Sequence, residues 1–253
     1  MDTAGAVLGP LTAMLFLYFF PGHYKTIFLI SIIPGVLSIL STCWINEKKM
    51  SASPLKPSIS LSRNLNYYRQ ASTQFQQLIV PLFFFSLLNS SDMFLLLQSS
   101  QLSLGPDKVI FMYLLFNVVY MLFAFPMGKL ADAHGKVTIF LLGIFFFVIT
   151  YVGFAFTHNL LFVVGLFVGY GLFYACTQGA IKSILLKFTP AHEKSSAIGF
   201  YEGGNSIGLL IANSMAGLIW FQWGAKILFI YTAIGACLFI GWFLVAYLRA
   251  AKN

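Results

Sequence analysis

Charge is scarce in this chain: 9% of its 253 residues are charged, and only 7 are Asp or Glu against 15 Lys or Arg. A soluble domain carries about 25% charged residues, so this chain cannot cover itself with polar surface and its solvent must be largely lipid. Cysteine is also sparse. Cys43, Cys176 and Cys237 sit singly inside apolar runs, which supports neither a disulfide framework nor a metal site and reads as isolated buried thiols. The four histidines, His23, His134, His158 and His192, fall in or beside loops. Zinc-protease, phosphate-loop and dinucleotide motifs are missing, so no cofactor or enzymatic activity is expected. Gly204 to Gly208 reads "GNSIG" and matches the serine-hydrolase pattern. That pattern needs a strand, a sharp turn and a nearby histidine, and a small-residue helix face explains it better. The net charge of +8 would suit nucleic acid, but the basic residues lie in short clusters between apolar runs, so no nucleic-acid partner is expected.

What is abundant is apolar and aromatic surface, 59% and 17% of the residues. With about 20 apolar residues needed per crossing, eight spans are predicted, near 3–20, 26–45, 78–98, 109–126, 137–157, 160–181, 195–221 and 225–248. The fold class is therefore all-α, a polytopic membrane helical bundle. The opening run "MDTAGAVLGPLTAMLFLYFF" has no basic lead and no cleavage pattern, so it reads as a span rather than a signal peptide. Residues 1–45 carry two spans and residues 78–253 carry six. The connection between them, 46–77, is Ser- and Pro-rich at first, and its second half, "SRNLNYYRQASTQFQQ", suits a helix lying on the membrane surface.

Lys and Arg alternate between the connections. Lys48, Lys49, Lys56, Arg63, Arg69, Lys129, Lys136, Lys182, Lys187, Lys194, Arg249 and Lys252 fall on one side, and Lys25, Lys108 and Lys226 on the other. Cytoplasmic loops retain positive charge, which predicts that both termini are cytoplasmic. The expected location is a bacterial inner (plasma) membrane, with the lipid bilayer as the first partner.

"GKLADAHGK", Gly128 to Lys136, resembles the G-x-L-x-D-x-x-G-[RK] loop of the major facilitator superfamily (MFS) of secondary transporters. In that family the loop joins the second and third helices of each six-helix half, its place among the last six spans here. Gly5, Gly9 and Pro10 resemble the G-x-x-x-G-P signature of the family's fifth helix. "LLNSSDMFLLL" and "AIGFYEGGNSIGLLIANSMAGLIW" look like the seventh and eleventh helices. The resemblance implies helices five to twelve of a twelve-helix transporter, with the first four missing. It further implies a small-molecule solute moved by alternating access, with H+ as a candidate coupling ion and export as the favoured direction. By the same resemblance, Asp132 latches the ends of the two halves together by facing residues 1–6, Gly128 and Gly135 permit the turn, and Lys136 mainly sets topology. The rival expectation is a non-transporting remnant, or a subunit completed by another chain supplying four helices.

Two acids, Asp92 and Glu202, fall inside spans, where carboxylates are costly enough to be functional candidates by default. Asn89, one turn from Asp92, and Asn117 on the next span are expected to line an upper cavity with it. Gln178 matches Glu202 in depth, with Asn205 one turn further on. Such groups can bind solute or carry a coupling proton. Gly204 with Gly208, and Gly5 with Gly9, stack on single helix faces and suit close helix packing.

Overall fold

The computed structural model describes residues 2–42, 67–102, 105–157 and 159–252. Among these residues every regular element is helical. The helices are α1 (Asp2–Phe19), α2 (Tyr24–Thr42), α3 (Thr73–Leu88), α4 (Met93–Gln101), α5 (Pro106–His134), α6 (Lys136–Phe156), α7 (Leu160–Lys187), α8 (Lys194–Trp223) and α9 (Ala225–Lys252). A single 3-10 turn, Ala191–Glu193, precedes α8. Seven segments, among them Thr73–Gln101 taken through its break, are long and apolar enough to cross a membrane, and α1 contributes a shorter apolar stretch over Gly5–Phe19.

Local chemistry fixes the helix ends. Ser72 caps α3, its Oγ accepting the Phe75 N–H at 3.2 Å and donating to the Phe188 carbonyl at 2.8 Å. One hydroxyl thereby ends an orphan donor and ties the start of α3 to the end of α7. Asn159 caps α7 through its Oδ1, which accepts the Leu161 N–H at 2.9 Å. Pro106 occupies the first turn of α5, where its missing N–H costs nothing. Gly135 and Gly224, at φ +97° and +83°, make the two single-residue turns into α6 and α9.

The structure corrects three boundaries. The fourth span was expected to stop at 126, but α5 continues through Pro126 to His134. Nothing after Pro126 breaks a helix until Gly135, so Gly128 and Asp132 lie on the helix and Gly135 alone forms the turn. The third span is split in two at Asn89–Asp92. Residues 73–77 already belong to α3 and not to the connection, whose remaining described part is a helical turn at 67–70 and the link 71–72. Cys43 and the proposed surface helix before residue 67 lie outside the described residues.

The core sits within α3–α9 and is strongly aromatic. Phe147 packs on Tyr151 at 4.3 Å between centroids and on Phe173 at 4.8 Å, while Phe85 meets Phe239 at 4.8 Å. Lipid tails are as apolar as these rings, so interlocking shape rather than escape from water holds the helices together. Glycines permit the closest approaches. A Cβ on Gly143 would meet Thr177 Cγ2 at 2.7 Å, and one on Gly171 would meet the Phe116 carbonyl at 2.7 Å, locking α7 against α6 and α5. Outside this core, α1 packs on α5 and buries Val7 and Leu17, whereas α2 buries no residue.

Candidate functional site: a charged polar wall between α3, α7 and α8

Four of the expected residues meet in one place. Asn89 from the end of α3, Gln178 from α7, and Glu202 and Asn205 from α8 line a common cavity with Lys182. Lys182 follows Gln178 by one turn of α7, so both project from one face. Its Nζ lies 2.7 Å from Glu202 Oε1, with the two side chains 47% and 43% exposed. A pair this open adds little stability. Its position on two membrane-spanning helices, where charges are costly, makes it a candidate for function.

The neighbours hold this pair in place. Ser86 Oγ donates to Asn205 Oδ1 at 2.7 Å, pinning α3 to α8. Gly204 and Gly208 allow that contact, because Cβ atoms there would strike the Phe83 ring and Ser86 Cβ. The expected small-residue packing is therefore realised at this pair. The "GNSIG" segment is plain helix, and Ser206 Oγ donates to the Glu202 carbonyl at 2.8 Å. Asn89 carries a buried Oδ1 that no described donor reaches, which is costly to leave unpaired. The cavity measures about 60 Å³, far below the roughly 300–1,000 Å³ of ligand pockets, so these residues form one wall and not a whole chamber.

Asp92 lies elsewhere, at the break. It begins α4, and its carboxylate accepts the Ser91 hydroxyl at 3.1 Å, while Asn213 Oδ1 on α8 accepts the Ser91 N–H at 2.7 Å. The break thus has its exposed backbone satisfied by a neighbouring helix, as unwound segments at membrane depth require. The positive end of α4 favours the carboxylate. Asn117 does not line the cavity that Asn89 shares with Glu202. It is buried, and its Nδ2 donates to the Tyr113 carbonyl of its own helix at 2.8 Å. Once α3 ends at Leu88, Asn89 turns toward Glu202 instead.

The remaining motif residues are scattered. Asp132 is exposed in the last turn of α5 and borders two grooves there, both shared with Lys136. The side chains of residues 1–4, on the other side of the expected latch, lie outside the described residues. No described atom stands within 4 Å of a Cβ built on Gly5 or Gly9. The close contact expected there is therefore not made by any described residue, and Gly9 and Pro10 instead border an open apolar cleft of about 290 Å³ with α4 and α5. Lys182, Ser86 and Asn213 were missed as site residues. For Lys182 the signal was legible, since the apolar "SILL" after it carries the helix on to Lys187 and places the charge inside it.

Residues 79–253 match the family description "Major Facilitator Superfamily", more than half of the chain, and the chain belongs to that family. It is 26% identical over 225 residues to an uncharacterized MFS-type transporter of Methanocaldococcus jannaschii, an alignment covering 87% of this chain and 55% of that protein. The chain spans about half the length of the curated relative it matches. The superfamily is one of membrane transporters and not of enzymes.

Proposed function

We propose that the chain forms the larger part of a secondary transporter that moves a small solute by rocking two helix bundles about a central cavity. The observation that carries this reading is the Lys182–Glu202 pair, which sits with Asn89, Gln178 and Asn205 on a wall too shallow to be a complete chamber. Opposite charges 2.7 Å apart neutralise each other. A proton on Glu202 frees Lys182, and a solute group that replaces Glu202 does the same, so the pair can link solute occupancy to H+. The wall calls for an opposing surface. A further helical segment, from the same or a second chain, would supply it, and α2, which buries no residue, offers that segment a place to pack. Asp132 then latches the two bundles through the N-terminal end of α1. The lysine distribution supports cytoplasmic termini in a plasma membrane, and the Gly5–Gly9–Pro10 signature supports export.

The test is proton-linked solute flux in proteoliposomes containing the full transporter. Glu202→Gln is expected to abolish dependence on the proton gradient, with Lys182→Gln lowering flux and the double variant recovering part of it. Unchanged flux in all three would remove the pair from the mechanism. Complete absence of flux in the native protein against a broad solute panel would favour the rival reading of a non-transporting remnant. The latch has its own check, a disulfide between cysteines at residues 132 and 5, which should form in one conformational state and never in the other.

A further inference from the structure

A second and roomier cavity lies away from the charged wall. It is a groove of about 950 Å³ at the lysine-rich end of the bundle, where α5, α6, α7, α8 and α9 finish or begin. Lys136, Lys187 and Lys194 reach it from three separate elements, and Asp132 is the sole carboxylate in its lining. Among the described residues none of these lysines forms an ion pair. Lys187 is positioned by aromatic groups: its Nζ lies 3.4 Å from the Tyr247 hydroxyl and over the Phe188 and Tyr247 rings. Three like charges around one groove repel each other, and the single Asp132 carboxylate leaves a net positive charge that a bound anion would balance. The floor has the opposite character. Leu141, Ile184, Leu244 and Leu248 line it, and Leu244 and Leu248 remain exposed on the outer face of α9, so the charged rim runs directly into an apolar flank.

A cationic rim above an apolar flank at the end of membrane helices matches an amphiphile with an anionic head. We propose that this groove binds the headgroup of an anionic phospholipid, with the phosphate between Lys136, Lys187 and Lys194 and an acyl chain along Leu244 and Leu248. A free phosphate ion would use the rim and leave the apolar floor uncovered, which is why a lipid is the better occupant. The lysines serve here as ligands as well as topology signals. This site is separate from the Lys182–Glu202 wall, and its occupancy stands or falls without reference to transport.

The experiment is native mass spectrometry of the detergent-purified protein equilibrated with equimolar phosphatidylglycerol and phosphatidylcholine. The wild type is expected to retain phosphatidylglycerol preferentially. Each lysine-to-glutamine change in the groove should weaken retention about fivefold, and the triple variant K136Q/K187Q/K194Q should lose the preference. The control K129Q/R249Q/K252Q removes the same charge outside the groove and should behave as wild type. All six positions are exposed, and an unchanged melting temperature verifies folding. Three results would overturn the proposal: equal loss in the control, which means bulk attraction; retention in the groove variant; or displacement of the lipid by inorganic phosphate, which means a free-anion site.

Discussion

Helices α2 and α6 have nearly the same length and are both apolar enough to cross a membrane, yet they hold opposite places in the molecule. α6 buries nine residues against its neighbours, whereas α2 buries none. Phe147 on α6 is fully buried and Phe28 on α2 is 75% exposed. Hydropathy does not decide this: α6 is the more apolar of the two, but Thr73–Gln101 is no more apolar than α2 and is well buried, because lipid accepts apolar surface as readily as a protein core does. What differs is interlocking: α6 carries Gly143 and Gly153, which admit side chains of α7 into its surface, while nothing lies within 4 Å of a Cβ on Gly35 of α2. In a bilayer, a helix is membrane-grade by composition but part of a core only by shape.

The contrast can be broken by mutation. Phe147→Ala should cost about 3 kcal/mol, the lower end for a buried Phe, because lipid and not water solvates the separated helices; thermal unfolding in detergent measures it. Gly171→Ala comes next at about 2 kcal/mol, because the new methyl would meet the Phe116 carbonyl and Val119 Cβ with little room to yield. Ser72→Ala should cost about 1 kcal/mol by removing the cap of α3 and its bond to the Phe188 carbonyl. Phe28→Ala and Gly9→Ala mark the low end, within about 0.5 kcal/mol. A larger loss at Phe28 in the presence of an added helical segment would sharpen the comparison, since it would show α2 acquiring a packed face.

Span order, and seven of the eight expected spans, were legible because hydrophobic runs of about 20 residues carry that information directly; the first, over Gly5–Phe19, is apolar but shorter than the rest. The break in the third span was legible only in part. "NSSD" signals a helix end, but its place inside a continuous span depends on Asn213, 122 residues away, accepting the Ser91 N–H. The same holds for the site. Gln178 and Glu202 were matched by depth, while Lys182 was assigned to topology because positive residues near span ends usually serve it. The facing of Asn117 was not legible, because one chain does not reveal which way a mid-span polar group turns, and this one bonds to its own helix. Gly204 and Gly5 carry identical spacing signals to their partners, yet among the described residues only the first has a neighbour to admit.

The interruption at Asn89–Asp92 turns one crossing into two rods joined at a pivot. The longer rod, α3, is anchored by its buried rings and by Ser72. The shorter rod, α4, has nine residues, about 13 Å of helix. Phe94 packs on Trp220 of α8 and Asn213 of the same helix holds the break, so any tilt of the shorter rod is coupled to α8.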